Sequence, residues 1–278
     1  MTGLNELVFL GTGVSSGVPL WYCRCQTCEK LRNDPSQWRT RSSIALLGAE
    51  TTLIDASTDL SFQLNRESIS EVDNLFLTHW HQDHVQGLGY LAEAILLLAL
   101  DPIDVYLPEG DIPFFEKQMH YAENQVELHP VRPGMNIELA DATFEVVKTK
   151  HTRSSVGYIV NSEKRFAYLL DTGYPSSETI ERMKGIDFLI VEATLDFVDG
   201  KEIEAIFSGH LTLDAALQLW REVGCPECFF THFAYHGVRG KIGENVIAQG
   251  INEEKRLAYQ LENHGLVLAY DGLSISLR

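Results

Sequence analysis

The chain has no long hydrophobic run, which argues against a helix that spans a membrane. Its longest apolar segment covers residues 94–100, whereas a membrane span needs about 20 apolar residues. No N-terminal stretch combines a charged start with an apolar core, so a secretory signal peptide is not expected. Cysteine is also scarce, with five residues that are odd in number and clustered. Such a set favours metal binding in a reducing compartment over a disulfide scaffold, and we therefore expect a cytoplasmic protein without a membrane partner.

Basic residues are outnumbered as well. The 22 Lys and Arg residues stand against 39 Asp and Glu residues, which gives a formal net charge of −17. Nucleic-acid backbones are bound mainly by clustered Lys and Arg, so a large nucleic-acid footprint is not expected. A small phosphorylated substrate is compatible with this charge, because bound metal ions make a site locally positive. With 45% hydrophobic residues, and without a repeat of fixed period or a linker, residues 1–278 are predicted to form one domain.

The most informative stretch is residues 78–84, which follow a short apolar run at residues 75–77. An apolar run of this kind is typical of a buried strand, so the stretch should form the loop that leaves the strand. Four metal-type side chains fall within six residues of this loop: His79, His81, Asp83 and His84. The first two can converge on one cation while the last two turn towards a second one. The alternative is a cluster of solvated histidines, since a motif alone is a hypothesis.

Three further strand candidates end in a metal-type residue, at His151, Asp171 and His232. A sandwich of sheets would bring such strand ends to one rim, where ligand sites commonly lie. We therefore predict one divalent ion held by His79, His81 and His151, and a second ion held by Asp83, His84 and His232, with Asp171 bridging the two. Imidazole and carboxylate donors suit Zn, Mn or Fe, and two ions about 3.5–4 Å apart are typical of hydrolytic sites. Taken singly, each distant residue has an ordinary alternative as a hydrogen-bonded turn residue.

A second cluster of metal-type residues lies in the loop at about residues 21–30, where Cys23, Cys25 and Cys28 form a C-x-C-x-x-C run. Three thiolates this close can hold one tetrahedral zinc and leave one position for a distant fourth ligand. The alternative is three incidental thiols in a loop. A zinc held here would contribute to folding rather than to the chemistry.

Two segments in the first fifth of the chain are candidates for the surroundings of the metal site. Residues 11–17 resemble a dinucleotide-binding glycine loop, but the third glycine is one residue late and Pro19 follows where a helix should begin. A turn that lets backbone pass close to a metal site fits them better. Arg41, Ser42 and Ser43 precede a predicted hairpin and could bind a substrate phosphate. The alternative for these three residues is a solvated strand start, with the arginine paired to a surface carboxylate.

Helical patterns cover residues 87–100, 112–122, 213–223 and 253–263. The first pattern is apolar nearly all round and should be well buried. The third has Thr212 as its N-cap and Gly224 as its stop. His210 precedes this helix and follows Gly209, and it is our candidate for the group that protonates a leaving oxygen. The alternative for His210 is a hydrogen-bonded surface histidine.

The H-x-H-x-D-H run, followed in order by His151, Asp171 and His232, resembles the metallo-β-lactamase superfamily over nearly the whole chain. The resemblance implies an α/β fold, the αββα sandwich, with a dinuclear metal site along one edge and the activity of a metal-dependent hydrolase. Within the superfamily, the glycine-rich turn, the cysteine run and the histidine motif are most similar to the carbon–phosphorus lyase accessory phosphodiesterases of the PhnP family. That likeness implies attack by a hydroxide shared between two metal ions on a small cyclic phosphate of ribose or a nucleotide, with Asp83 and His210 as catalytic residues.

The same likeness implies that His236 is the fourth ligand of the thiolate zinc. His232 and His236 are four residues apart, whereas the family pattern has them three apart, so Cys225 or Cys228 stays open as the fourth ligand.

Residues 39–44 and 55–59 also resemble the pyrroloquinoline-quinone biosynthesis proteins of the PqqB family. An iron-dependent oxidative biosynthetic enzyme is therefore one alternative. A lactonase or thioesterase of the same fold is another, because the metal chemistry also serves carbonyl carbon. As partners we expect a small phosphorylated substrate, and a homodimer is a candidate assembly.

Overall fold

The computed structural model describes residues 4–24, 26–194, 209–233, 260 and 262–278. The strands in this part of the chain are β1 (Glu6–Gly11), β2 (Ser43–Leu47), β3 (Thr51–Ile54), β4 (Asn74–Phe76), β5 (Ile103–Pro108), β6 (Val126–Val131), β7 (Asn136–Glu138), β8 (Thr143–Lys148), β9 (Val156–Asn161), β10 (Arg165–Leu169), β11 (Phe188–Glu192), β12 (Glu227–Thr231), β13 (Leu266–Leu268) and β14 (Ser274–Ser276). They form two seven-stranded sheets, ordered β14-β1-β2-β3-β4-β5-β6 and β13-β12-β11-β10-β9-β8-β7.

Helices cover the outer faces of both sheets. The described helices are α1 (Gln26–Arg32), α2 (Leu60–Glu67), α3 (Gln82–Val85), α4 (Leu88–Leu98), α5 (Ile112–Gln118), α6 (Ser177–Arg182) and α7 (Leu213–Val223). The apolar faces of α2, α4 and α5 pack on the first sheet, and those of α6 and α7 pack on the second. Between the sheets lies a core rich in aromatic rings, in which Phe76 stacks on Phe144 and meets Tyr158 edge-on. The layers therefore form an αββα sandwich.

The strand directions bring distant residues to one rim of the sandwich. Strands β3 to β6 run parallel to one another, and so do β10 to β13. Parallel strands place their carboxyl ends at the same edge of a sheet, where ligands commonly bind. Asp55 and His79 follow the ends of β3 and β4 in the first sheet, and Asp171, Glu192 and His232 lie at the ends of β10, β11 and β12 in the second.

Helix α4 departs from the sequence-based expectation. The apolar pattern predicted that this helix would be well buried, but Leu96, Leu97 and Leu98 are 66%, 74% and 67% exposed. Only the face that carries Leu91 and Ile95 packs on the first sheet. The prediction was wrong for the last turn because a helix that is apolar all round needs neighbours on every side, and the sequence pattern does not show how many neighbours the fold supplies.

Other element predictions are confirmed or corrected at their boundaries. The β2–β3 hairpin forms as expected, and the helix at residues 213–223 begins at a Thr212 hydroxyl that accepts the Ala215 N–H. Strand β8 ends at Lys148, so His151 belongs to a turn and not to the strand. Helix α2 and strand β6 were not predicted from the sequence. Most of the helix predicted at residues 253–263 lies outside the described residues. Among the described helices, none has both the length and the apolar character to cross a bilayer.

Candidate metal centre

The loop that follows β4 turns four side chains towards the rim. The chain is extended at His81, and α3 begins at the next residue. This change of direction carries Asp83 and His84 back into the protein, where they are buried together with His79. His81 stays exposed. Because the chain is extended at His81 and helical from Gln82, it separates His79 and His81 from Asp83 and His84. These are the ligand pairs that the sequence motif predicted.

One group of donors comprises His79, His81, His151 and Asp171, whose ligand atoms all lie within 4.8 Å of one another. The His81 Nδ1 is 2.9 Å from the His79 Nε2 and 3.1 Å from the His151 Nε2. The Asp171 Oδ2 is 3.3 Å from the His79 Nε2. Three ring nitrogens that face one another at this range, with a carboxylate beside them, form a cage for one cation.

A second group comprises Asp83, His84, Asp171 and His232, again within 4.8 Å of one another. The Asp171 Oδ2 is 3.2 Å from the His84 Nε2, and the Asp171 Oδ1 is 3.1 Å from the His232 Nε2. The Asp83 Oδ2 lies 3.4 Å from the His84 Nε2. Asp171 is thus the residue that the two groups share, as a bridging carboxylate would be.

The polar atoms of this centre fit a cation. The His84 Nε2, the His232 Nε2 and the Asp171 Oδ1 are buried and have no hydrogen-bond partner among the described residues. Buried polar atoms normally find a partner, and such exceptions require an explanation. Because these atoms converge from different elements, divalent ions at the two groups would satisfy all three of them.

Hydrogen bonds to the Nδ1 atoms of the histidines set which ring nitrogen faces the candidate metal site. The His84 Nδ1 donates to the Asp55 Oδ2 at 2.8 Å, and the His232 Nδ1 donates to the Thr194 hydroxyl at 2.8 Å. The His151 Nδ1 donates to the Gly209 carbonyl at 3.2 Å. Ligating histidines are commonly oriented in this way by a partner on the other nitrogen. In each of the three rings the Nε2 is therefore the atom left for a metal ion.

Backbone geometry supports the same placement. Asp55, Asp171 and His232 have φ angles of 64°, 45° and 55°, which is uncommon for residues other than glycine. Strained residues of this kind cluster at functional sites. Each of the three lies within two residues of the end of a strand, so the strain accompanies the sharp turn that keeps its side chain at the rim.

The pKa values of the buried donors shift in different directions. Burial opposes the charged form of His84, but Asp55, Asp83 and Asp171 outweigh it and raise the pKa of His84 well above its usual range. Burial, together with the neighbouring His84, lowers the pKa of His79 to about 3, so its lone pair is available for a metal. Burial opposes ionisation of Asp171, but His232 and His84 outweigh it and hold the pKa of that carboxyl well below its usual range. Asp171 is therefore an anion at neutral pH.

Glu192 lies beside this centre and was not singled out from the sequence. It is fully buried, and its Oε2 accepts the His210 Nδ1–H at 2.9 Å. Burial disfavours the charged form of His210, yet the Glu192 carboxylate outweighs this effect and raises the pKa of His210 to about 9. The His210 ring lies 4.8 Å from the His151 ring and 5.8 Å from the His232 ring. The sequence did contain a signal, because β11 ends in an acidic residue just as neighbouring strands end in ligand-type residues.

The structure places Arg41, Ser42 and Ser43 in internal contacts. The Arg41 guanidinium pairs with Asp59 at 2.9 Å, while the Ser42 and Ser43 hydroxyls are buried and donate to backbone carbonyls. The pairing of Arg41 matches the alternative of an arginine bound to a carboxylate, but Ser42 and Ser43 are buried and not solvated. A phosphate-binding role for these three residues stays a prediction, and their contacts within the chain do not favour it.

The glycine-rich turn serves close backbone packing. A Cβ on Gly11 would lie 2.0 Å from the Arg41 carbonyl oxygen, and one on Gly13 would lie 2.7 Å from the Arg39 carbonyl oxygen. Gly13 also pairs with Phe233, the neighbour of His232. The close backbone approach predicted for residues 11–17 is therefore present. It lies next to Phe233, which follows the candidate ligand His232.

The thiolate loop is described only in part. Cys28 is buried and Cys23 is partly exposed, whereas Cys25 and His236 lie outside the described residues. Cys225 and Cys228 belong to the core beneath α7. Burial raises the pKa of Cys225 to about 11 and raises that of Cys228 as well. Without a metal these two residues are neutral thiols that pack in the core of the second sheet, and Cys225 or Cys228 as the fourth zinc ligand stays a prediction.

A family model described as a beta-lactamase superfamily domain matches residues 50–233. The chain belongs to this superfamily. Its two donor groups fit the two divalent ions that the fold generally binds. The fold and family expected from the histidine motif are thus confirmed.

Two curated relatives show the range of this superfamily. An octanoyltransferase of Porphyromonas gingivalis is 28% identical over 240 residues, which cover 82% of this chain and 46% of that protein. The chain thus spans less than half the length of that relative. A ribonuclease Z of Gloeothece citriformis is 27% identical over 325 residues, which cover 93% of this chain and 95% of that protein.

Two solved structures match nearly end to end. A diphosphatase from the PhnP family is 28% identical, with a TM-score of 0.79 over 99% of this chain and 98% of that one. Zinc-bound PqqB from Methylobacterium extorquens is 21% identical, with a TM-score of 0.78 over 97% of this chain and 99% of that one. The second likeness shows the fold alone. A coenzyme PQQ synthesis protein B of Methylobacterium radiotolerans is 26% identical over 322 residues, which cover 98% of this chain and 100% of that protein. The resemblances to the PhnP and PqqB families that the sequence indicated are therefore confirmed.

Proposed function

We propose that the chain is a phosphodiesterase that acts on a small cyclic phosphate of ribose or a nucleotide. The observation that carries this proposal is that Asp171 belongs to both donor groups of the candidate metal centre and also to a third group, which it forms with Glu192, His210 and His232. A pair of adjacent cations with a protonated histidine at their edge is suited to displacing an oxygen from phosphorus. The 28% identity to a PhnP-family diphosphatase also supports chemistry at phosphorus.

Two sets of residues in the chain would each hold one ion. His79, His81 and His151 would hold one ion and Asp83, His84 and His232 the other, with Asp171 in contact with both. When bound, the ions would supply an ionised water as nucleophile and neutralise charge on the phosphate oxygens. Asp55, Thr194 and the Gly209 carbonyl would keep the histidine rings turned towards them.

His210 would supply the proton that the departing oxygen needs. Glu192 holds its Nδ1, which leaves the Nε2 to face a substrate. With a pKa of about 9, the imidazole is protonated at neutral pH. As the phosphorus–oxygen bond breaks, the Nε2 proton would pass to the leaving oxygen, and His210 would end the step as a neutral imidazole held by Glu192.

Two exposed cations beside His151 support a phosphorylated substrate. Lys150 and Arg153 flank this ligand and are both exposed, in a chain whose net charge is −17. A local excess of positive charge at the edge of the donor groups would raise the concentration of small phosphates there. The same positions would not suit an uncharged lactone or a thioester of a fatty acid as well.

A diphosphate bond is the second candidate substrate. The observation that favours it is that a PhnP-family protein of 28% identity is described as a diphosphatase. The two reactions share the nucleophile and the phosphorus centre, and they differ in the leaving group. A phosphate leaving group needs no proton, so His210 would matter less to this reaction than to cleavage of a cyclic ester.

A substrate panel tests the proposal. The chain, loaded with Mn²⁺ or Zn²⁺, would be assayed with 2′,3′-cyclic AMP, bis-p-nitrophenyl phosphate, ADP, a lactone and an acyl thioester, with oxygen uptake recorded in parallel on iron-loaded protein. Turnover of the cyclic phosphate ahead of the others is the expected result. Preference for ADP would move the assignment to the diphosphate bond. Turnover of only the lactone or thioester, or oxygen uptake with iron, would overturn the proposal.

The variant His210→Ala separates proton donation from metal binding. We expect it to retain both divalent ions and to lose about 10²–10⁴ in kcat on a cyclic phosphate. With bis-p-nitrophenyl phosphate, whose leaving group is a weak base, the loss should be smaller. The measurement is kcat on both substrates with metal content by elemental analysis. Equal losses on the two substrates would argue against the role of His210 as a proton donor.

A further inference from the structure

The loop between β5 and α5 contains a buried carboxylate outside the candidate ligand set. Asp111 is 3% exposed, and its Oδ1 accepts a hydrogen bond from the Ser154 hydroxyl. Its Oδ2 is buried and has no hydrogen-bond partner among the described residues. The backbone N–H of Trp80, which lies between two candidate ligands, is near enough to lower the pKa of this carboxyl, although burial outweighs it and raises that pKa. Asp111 therefore lies between the loop of His79 and His81 and the turn that follows His151, and it is bonded to that turn.

Several hydrogen bonds hold the turn that contains Ser154, at residues 148–155. The Lys148 ammonium donates to the carbonyls of Thr152, Arg153 and Ser155, at 3.5, 2.7 and 3.1 Å. Thr152 and Ser155 also exchange backbone-to-hydroxyl hydrogen bonds at 3.1 Å. A displacement of Ser154 would therefore move the whole turn together with His151.

A glycine allows this contact to form. A Cβ on Gly110 would lie 2.9 Å from the Ser154 Cβ, which is closer than side chains normally approach. The absence of a side chain at position 110 therefore lets the turn reach the neighbouring carboxylate.

The Trp80 side is anchored as well. The Trp80 indole N–H donates to the Gln118 side chain at 3.0 Å, and its ring meets the Phe115 ring edge-on at 6.2 Å. His81 is the exposed member of the first donor group, so burial does little to hold its ring. Its position depends on the backbone on either side of it, and Asp111 lies beside that backbone at Trp80.

We propose that Asp111 is a positioning residue for the donor group of His79, His81 and His151, because it holds Ser154 in the turn after His151 and lies beside the loop that carries His79 and His81. It belongs to none of the candidate donor groups. The proposal rests on the metal-binding role that underlies the proposed function. The removal of a group that orients metal ligands typically changes metal affinity 10–100-fold.

The test measures metal binding rather than turnover. The full chain would be freed of divalent ions by dialysis against EDTA and titrated with Mn²⁺ in a calorimeter. Ser154→Ala removes the hydrogen bond to Asp111, and Asp111→Asn removes the charge while keeping an oxygen that can accept from Ser154. We expect Ser154→Ala to weaken one of two Mn²⁺ sites about tenfold and to leave the other unchanged, with a smaller effect for Asp111→Asn.

The matched control is Ser162→Ala, which removes a hydroxyl that donates to the Lys164 carbonyl in the turn between β9 and β10. It should leave both affinities unchanged. Wild-type affinities in Ser154→Ala and Asp111→Asn would overturn the proposal, and so would equal weakening of both sites. Because no turnover is measured, a chain that binds two ions but cleaves no phosphodiester would count against the proposed function and not against this inference.

Discussion

The pair formed by His210 and Glu192 shows how a neighbouring carboxylate determines what a histidine can do. An isolated imidazole titrates near pH 6.5 and would be mostly neutral in the cell. The buried Glu192 carboxylate, 2.9 Å from the His210 Nδ1, keeps the ring charged to a higher pH. His210 can therefore donate a proton at neutral pH, while the more deeply buried His79 stays neutral and can donate a lone pair.

The pH profile of the reaction should report this pair. His210 is raised to a pKa of about 9, so its acid form persists through neutral pH and is lost as the pH rises through about 9. We expect kcat on a cyclic phosphate to fall in that range. Glu192→Gln removes the negative charge and should move the fall towards the ordinary histidine range near pH 6.5. Profiles of kcat from pH 5 to 10 would measure the shift.

The exposed glutamate at the start of β12 offers the control, since Glu227→Gln removes the same charge from the surface of the same sheet. Its profile should follow that of the wild type. A profile of Glu192→Gln that coincides with both would show that His210 is not the group that limits the reaction at high pH.

Cysteine substitutions should distinguish the predicted zinc loop from the core thiols. Cys28→Ser should lower the zinc content by one ion per chain and lower the melting temperature, because structural zinc contributes folding energy. Cys225→Ser is the matched control, since it alters a buried thiol with a raised pKa. It should leave the zinc content unchanged. Elemental analysis of both variants makes the comparison, and equal zinc contents would contradict the zinc loop.

At the scale of single elements, strand ends were more predictable than helix surroundings. The alternation of apolar strands and polar ends placed β4, β10 and β12 and the ligand-type residues after them, because that pattern depends on local sequence. Strand β6 was missed, since His129 and Pro130 interrupt its apolar pattern. The exposure of α4 was mispredicted because the number of neighbours around a helix is a tertiary property.

The two faces of α4 should differ sharply in their contribution to stability. Leu91 is 8% exposed and packs on the first sheet, whereas Leu97 is 74% exposed. We expect Leu91→Ala to lower the free energy of unfolding by about 2–5 kcal/mol, because it removes buried methyl groups. Leu97→Ala should change it by less than about 0.5 kcal/mol. Urea unfolding of both variants would measure the contrast, and similar losses would show that Leu97 is covered in solution.

At the scale of the whole molecule, the candidate metal centre links the two sheets. His79, His81, Asp83 and His84 follow β4 of the first sheet, and His151, Asp171 and His232 come from the second. The sequence could predict this set because seven ligand-type residues share one pattern. It could not predict Glu192 or Asp111 as supporting groups, because one acidic residue in a loop or at a strand end is common. Their meaning comes from burial and from partners that only the tertiary structure supplies.

Removal of divalent ions should therefore loosen the sandwich. Each ion present at 100 times its dissociation constant would stabilise the folded chain by about 2.7 kcal/mol. For a chain of this size, the loss of one such ion corresponds to a melting temperature lower by roughly 5–10 °C after chelation. Calorimetry with and without EDTA measures the shift. In His81→Ala, which alters an exposed donor, the shift should shrink, and a shift of the same size would place its origin elsewhere.

The pairing of β1 with β14 has a consequence for synthesis of the chain. Glu6 and Ser276 lie side by side in the first sheet although they are about 270 residues apart, and Leu277 is buried in the same core as Leu4 and Leu7. On a ribosome that adds about 5–20 residues per second, the edge of β1 waits roughly 15–55 seconds for its partner. During that interval its unpaired backbone can bind other strands, so the growing chain is open to aggregation at this edge until β14 has been made.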